Sequence, residues 1–320
     1  MLRSILIYLS KAAWARQIVT KWDFAWRAAS RFIAGEELED AIRVIKVLNA
    51  KGINATLDEL GEHTSSPEKA CRATQDILRM LHTMNQAGVQ SNVSIKLTQI
   101  GLALDENLCA ENLQRILETA KVYDTFVRID MEDSQWVEKT LDLYRRMIYD
   151  CRCENVGVVI QSYLYRSKED VERLTAEGAR VRLCKGAYKE PPEIAYPQKS
   201  DVDANFDRLT AALIDGALAM GAPALSADGK IPPIPAIASH DEKRIEYAKA
   251  YARERGLSKQ AIEFQMLHGI RRDLQEQLCA EGYPVRVYVP WGTEWYPYFT
   301  RRLAERPANV WFFISNFFRR

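Results

Sequence analysis

Near its C-terminus the chain reads Tyr298-Phe299-Thr300-Arg301-Arg302-Leu303-Ala304-Glu305, just after the strand-like run Val285-Arg286-Val287-Tyr288-Val289. As a helix, this segment carries Tyr298, Arg301, Arg302 and Glu305 at i, i+3, i+4 and i+7, on one face. Two adjacent guanidiniums form a fork suited to a carboxylate. An aromatic ring one turn earlier packs on a small apolar body. The chemistry is that of holding a compact acid such as an amino acid. The same spacing also fits a solvated face laced by Arg301–Glu305 and Arg302–Glu305 pairs, each contributing only about 0.2–0.5 kcal/mol.

Further chemistry-bearing residues sit at the ends of short β-branched runs. Asp58-Glu59-Leu60-Gly61-Glu62 follows the first run. Lys96 closes the second, Asp130 and Glu132 the third, and Gln161 the fourth. Arg182 lies in the fifth, followed by Lys185-Gly186-Ala187. His240, Gln265 and Tyr288 complete the series. Singly, each is an ordinary strand-end polar group: Lys96 and Asp130 could pair across neighbouring strands, as could Arg182 and Asp130. Jointly, two lysines, an arginine, an aspartate, two glutamines and a histidine exceed what a structural cap needs. Such a mouth suits a large anionic cofactor and a small acid. In Lys185-Gly186-Ala187, Gly allows close backbone approach to a phosphate and Lys supplies charge.

The elements that must position these groups follow from pattern. Candidate strands are Asn54–Leu57, Asn92–Leu97, Phe126–Met131, Gly157–Ser162, Arg180–Cys184, Ile234–Ser239, Ile262–Leu267 and Val285–Pro290. Helical segments such as Ser66–Ala87, Glu111–Val122, Gln135–Asp150 and Lys168–Glu177 lie between them, with Gly88, Gly178, Gly256 and Gly282 punctuating helix ends. Eight strands alternating with helices predict an α/β fold, a TIM-like (β/α)8 barrel, with additional helices in an N-terminal segment 1–50 and the barrel over 51–320. No GxGxxG or GxxxxGK[ST] loop follows any strand, which disfavours a doubly wound sheet.

Composition narrows the function. The 320 residues are 47% hydrophobic, with 44 basic and 43 acidic side chains and a net charge of +1. That balance gives no reason to expect nucleic acid as a partner. The six cysteines form no CxxC pair and the four histidines no HxxxH, so neither a disulfide framework nor a metal site is expected. The opening apolar run is too short for a signal-peptide core, and no stretch reaches the roughly 20 apolar residues of a membrane span. A cytoplasmic protein is expected.

Eight segments, in order over roughly residues 53–310, resemble the monofunctional bacterial proline dehydrogenases. They are Leu57–Glu62, Val93–Gly101, Val127–Glu132, Val159–Leu164, Val181–Tyr188, Ile237–Asp241, Phe264–Gly269 and the terminal Tyr298–Asn309 run. The resemblance implies an FAD enzyme that oxidises L-proline to Δ1-pyrroline-5-carboxylate by hydride transfer from C5 to flavin N5. It implies that Arg301 and Arg302 bind the proline carboxylate with Lys96 assisting, oriented by Glu305. Tyr288 and Tyr298 wall the ring and Leu267 packs near it. Asp130 sits beside Lys96 and the flavin, and Arg182 donates toward the N5 region. Met131, Gln161, Lys185, Gly186, Ala187, Ser239 and His240 contact FAD.

The resemblance further implies a membrane quinone as electron acceptor and functional coupling to a separate pyrroline-5-carboxylate dehydrogenase. The amphipathic N-terminus and the aromatic tail from Val310 to Arg320 are candidates for peripheral contact with the inner membrane face. Rival expectations are a Schiff-base barrel using Lys96 or Lys185 as nucleophile, a sensor that binds proline without turnover, and a dehydrogenase preferring hydroxyproline.

Overall fold

Strands whose every position is buried leave little choice of architecture. Val156–Gln161 and Ser91–Ile95 have no exposed residue, as expected of parallel strands covered on both faces. The computed structural model describes Val19 and residues 23–305, and in it eight strands, none with an exposed residue, close into a parallel barrel in sequence order. They are β1 (Asn54–Glu59), β2 (Ser91–Ile95), β3 (Val127–Ile129), β4 (Val156–Gln161), β5 (Val181–Cys184), β6 (Pro235–Ala238), β7 (Glu263–Leu267) and β8 (Val285–Trp291). β8 pairs with β1 from Asn54↔Arg286 to Glu59↔Trp291, which closes the ring. The (β/α)8 expectation holds. β3 is shorter than its apolar run, although the Asp130 N–H still bonds the Ile95 carbonyl at 2.9 Å.

The helices are α1 (Asp23–Ala29), α2 (Leu38–Asn49), α3 (Pro67–Ala87), α4 (Glu106–Val122), α5 (Val137–Tyr149), α6 (Ser167–Ala176), α7 (Lys199–Ala219), α8 (Glu242–Glu254), α9 (Arg272–Ala280) and α10 (Trp295–Glu305). Local signals explain their limits. Ser66 caps α3 by accepting from the Lys69 N–H, Pro67 occupies its first turn, and Gly88 ends it at φ 60. The N-terminal helices α1 and α2 precede the barrel. The opening amphipathic residues and the aromatic tail lie outside the described residues.

Alternation along each strand sorts the side chains. One set, including Leu57, Val93, Ile129, Ile160, Leu183, Phe264 and Val287, joins the large apolar core with the surrounding helices. The other set meets inside the barrel and is largely polar. The Arg182 guanidinium of β5 bonds Ser94 of β2 at 3.1 Å, a contact between non-neighbouring strands that must cross the lumen. Deeper in, Arg286 of β8 and Glu263 of β7 pair at 2.9 Å through both carboxylate oxygens, with both side chains fully buried.

A second apolar cluster docks α10 onto α1. Trp295, Tyr296 and Phe299 pack with Ala25, Ala29, Phe32 and Ile270. The Trp295 indole N–H reaches Glu36 at 3.1 Å. Gly269 closes this seam at φ 75, where a Cβ would run into the Arg31 carbonyl. The C-terminal helix is thereby fixed across the barrel mouth.

Removing one partner of the buried pair strands a charge. Glu263→Leu alone is expected to cost about 3–5 kcal/mol, read as a lowered urea midpoint at unchanged m-value. Wild-type-like unfolding would show that the pair is not desolvated in solution.

Candidate active site

A cavity of about 540 Å³ opens where the C-terminal ends of the strands meet α10. That volume is typical of small-molecule sites, and the position is where barrels carry their chemistry. Of the expected site residues, Lys96, Asp130, Met131, Gln161, Arg182, Lys185, Gly186 and Ala187 line it. So do Ser239, His240, Leu267, Tyr288, Tyr298, Arg301 and Arg302. Glu305 ends α10, and its side chain lies outside the described residues.

The centre of the cavity is an ionic cluster. Asp130 accepts from Arg182 Nη1 at 2.8 Å and from the Tyr288 hydroxyl at 2.7 Å, with Lys96 Nζ 3.5 Å away. Lys96 Nζ also donates to Asp58 at 2.8 Å and to the Tyr288 oxygen at 3.3 Å. Its three N–H groups thus face three acceptors. Burial alone would weaken the Lys96 cation, but the Asp58 and Asp130 carboxylates outweigh it and hold the amine protonated. Burial raises Asp58 above the usual carboxylate range, opposed by the Lys96 cation beside it. Burial, then Asp130, pushes the Tyr288 phenol upward, keeping it a donor. The Arg182 guanidinium also lies 5.5 Å from the Tyr288 ring centroid.

At the α10 end, Arg301 forks onto Glu62 at 2.7 and 3.3 Å. Its side chain is 17% exposed, which sets aside the solvated-face alternative for this residue. Its described carboxylate partner comes from the loop after β1. Arg302 is buried, its guanidinium 5.0 Å from the Tyr298 ring centroid. Tyr188 flanks Arg301 at 6.0 Å. A smaller hollow of about 360 Å³ lies against the same Glu62, Tyr298 and Arg301 side chains.

At the opposite end, Lys185 Nζ is held by Asp203 at 2.6 Å and Asp241 at 2.7 Å. Lys185 is thus held by two of the protein's own carboxylates, and a phosphate bound there would share it with them. Lys199, 73% exposed, adds a second cation to the same cluster. Gly186 has φ 114, and a Cβ there would strike the Tyr163 ring. Its need for glycine is thus met by the protein's own packing. His240 Nε2 accepts the Leu267 N–H at 3.0 Å, so its ring proton sits on Nδ1. Gln161 donates its amide to the Glu132 carbonyl at 2.8 Å, and the Ser239 hydroxyl accepts the Asp241 N–H at 3.1 Å.

The donor set fits a flavin dinucleotide. Met131, Val159, Ala238, Met266 and Leu267 give an apolar lining for a planar ring, with Arg182 beside it and Lys185 and Lys199 toward the far end. Among the described residues no group of His, Cys, Asp or Glu is arranged to hold a metal. Residues without an assigned role in the sequence reading, namely Asp58, Glu62, Tyr188 and Gln265, complete the site. Asp58 and Glu62 stood in a recognised segment, but nothing in the sequence pairs them with Lys96 or Arg301.

The sequence profile described as proline dehydrogenase matches residues 41–314. The chain belongs to the proline dehydrogenase family. It is 42% identical to a proline dehydrogenase of Deinococcus radiodurans over 293 residues, covering 91% of this chain and 90% of the relative. It is 38% identical to proline dehydrogenase 2 of Bacillus subtilis over 311 residues, covering 97% and 96%. The similar solved structures include proline utilization A from Bdellovibrio bacteriovorus inactivated by N-propargylglycine, with TM-score 0.79 and 26% identity. That match covers 88% of this chain and 33% of the other, so this chain spans about a third of the larger protein. As in the rest of the family, the activity is that of an oxidoreductase.

Buried acids around this site fix a pH dependence. Burial pushes Glu132 from 4.5 up to about 7, although it accepts the Thr98 N–H at 3.1 Å and hydroxyl at 2.5 Å. Burial, with Asp76 and Asp58 nearby, likewise brings Glu59 to about 7. A carboxyl with a raised folded pKa binds more protons in the native state, so its stabilisation is full below about 4.5 and is lost as pH rises through about 7. The urea midpoint should fall between pH 5 and pH 8, and Glu132→Gln should flatten that slope. An unchanged slope in the variant would rule Glu132 out as a source.

Proposed function

We propose that this chain is an FAD-dependent proline dehydrogenase that oxidises L-proline to Δ1-pyrroline-5-carboxylate. The observation that carries the reading is one cavity holding an arginine pair with an aromatic ring at one end, Arg301 and Arg302 with Tyr298, and an ionic centre, Arg182 with Asp130 and Lys96. Family membership gives the substrate class. The domain reading goes with it: an N-terminal segment over 1–50, helical where it is described, and a flavin-binding barrel with the substrate helix within 51–320.

When bound, the flavin supplies a two-electron acceptor at N5 for hydride leaving proline C5. The protein contributes position and charge. Arg301 and Arg302 hold the carboxylate, and Tyr298 and Tyr288 bound the ring, so that the reacting carbon is presented in one orientation. Arg182, immobilised by Asp130, Ser94 and Gln265, stabilises negative charge that grows beside it. Met131, Gln161, Gly186, Ala187, Ser239 and His240 hold the cofactor body, and Lys185 with Lys199 its charged end. Lys96 is kept protonated with its three donors engaged, so it is no nucleophile for a Schiff base. Lys185 is engaged by two carboxylates, Asp203 and Asp241.

The electrons pass to a membrane quinone, and a separate pyrroline-5-carboxylate dehydrogenase consumes the product. No described helix is long and apolar enough to cross a membrane. The reading places the enzyme in the cytoplasm, touching the inner membrane face peripherally.

The deciding experiment is the visible spectrum of the purified protein before and after anaerobic L-proline. A flavin spectrum that bleaches supports the reading; a protein that takes up no FAD, or stays yellow with proline, overturns it. Arg301→Met and Arg302→Met should each raise KM for proline about 10- to 150-fold with FAD retained, since a hydrogen bond to a charged group is worth about 1.5–3 kcal/mol. Wild-type proline kinetics in either variant would remove that residue from the carboxylate site.

A further inference from the structure

Arg182 is tethered on three sides. Nη1 reaches Asp130, Nη2 reaches Ser94, and Nε donates to Gln265 Oε1 at 2.5 Å. The Gln265 amide nitrogen in turn donates to Glu263, two residues earlier on β7. Glu263 is gripped by Arg286 through Nε and Nη2, both at 2.9 Å. Arg286 anchors itself on the carbonyls of Ala55 at 2.7 Å and Gly229 at 2.6 Å. Neither Glu263 nor Arg286 lines the cavity.

An amide has two unlike ends. Turned over, Gln265 would set its NH2 against the Arg182 Nε–H, donor against donor, and its oxygen against the Glu263 carboxylate, acceptor against acceptor. Glu263 therefore decides which end Arg182 meets. Without the Nε tether the guanidinium plane can turn about its two Nη contacts, and the N–H groups left for the cavity turn with it.

We propose that Glu263, anchored by Arg286, is a positioning residue for the flavin-facing guanidinium of Arg182, acting through the orientation of the Gln265 amide. The proposal rests on the reading of Arg182 given above. A purely structural pair would change stability when removed and leave the reduction step alone.

Two double variants separate these roles. Glu263→Leu with Arg286→Met, and Glu263→Gln with Arg286→Met, both remove the two charges together, a change that buried pairs tolerate. Only the version with Glu263→Gln keeps an oxygen that accepts from Gln265. The rate of anaerobic bleaching by saturating L-proline should fall about tenfold or more in the leucine version and stay within about threefold of wild type in the glutamine version. The flavin midpoint potential in the leucine version should become more negative by about 30 mV for each tenfold loss of preference for the reduced form. Affinity for the proline analogue with oxygen in place of the ring nitrogen should be the same in both.

Equal bleaching rates and potentials in the two versions would overturn the proposal. Gln265→Met leaves the ion pair whole and should show the same tenfold loss; an unchanged rate there overturns the proposal even where the double variants fail to fold. A wild-type flavin that proline does not bleach sinks the parent reading as well. A wild-type flavin that bleaches, with indifferent variants, sinks only this one.

Discussion

The fully buried Glu263–Arg286 pair sets the character of this barrel. Two charges without water must satisfy every donor and acceptor from the protein, or they destabilise it. Arg286 does so with Glu263 and two backbone carbonyls, and Glu263 with Arg286 and Gln265. The polar lining continues upward through Arg182 and Ser94 to the Asp130–Lys96–Asp58 cluster at the mouth. Most aliphatic side chains are left to the outer face, where the helices cover them. A barrel filled with branched aliphatics would hold its strands equally well but would give Arg182 no fixed plane.

Charge balance governs the two ends of the cavity. At the centre, Lys96 and Arg182 face Asp58 and Asp130, two cations against two anions. At the far end, Lys185 is matched by Asp203 and Asp241. Near α10, Glu62 keeps the poorly exposed Arg301 guanidinium charged and ordered. Pairing of this kind cuts the cost of burying charge and holds each group close to the position it needs.

The fold was legible because outward positions on each strand are aliphatic and the chain between strands carries helical periodicity and glycine stops. All eight apolar runs became strands, with ends displaced by at most two residues; most are shorter than their runs, and β1 is lengthened by Asp58 and Glu59. Many of the cavity-lining residues were legible too, since polar types at strand ends have no place in an outer core. Partnerships were not. Arg301 and Glu62 are 239 residues apart, and Lys185 and Asp241 are 56 apart. Only closure of the barrel brings them together. Glu305, one helical turn from Arg301, could be named from the sequence, but Glu62, which the fold brings to Arg301 from the loop after β1, could not. Gly186 had a visible need for freedom, but its cause, the Tyr163 ring, is invisible without the packing.

Lys96 shows how these constraints bear on binding. Its ammonium has three N–H groups, directed to Asp58, Asp130 and the Tyr288 oxygen. To assist an incoming carboxylate it must give up one. Asp58 holds it at 2.8 Å in a buried setting and is the costliest to leave. The Tyr288 oxygen, at 3.3 Å, is neutral and still keeps its own donor bond to Asp130. Exchange of that neutral acceptor for a carboxylate gains charge assistance while the lysine keeps its ion pairs. On the proposed reading, Asp58 and Asp130 hold the cation in place, and the Tyr288 oxygen is the neutral acceptor that a substrate carboxylate would replace.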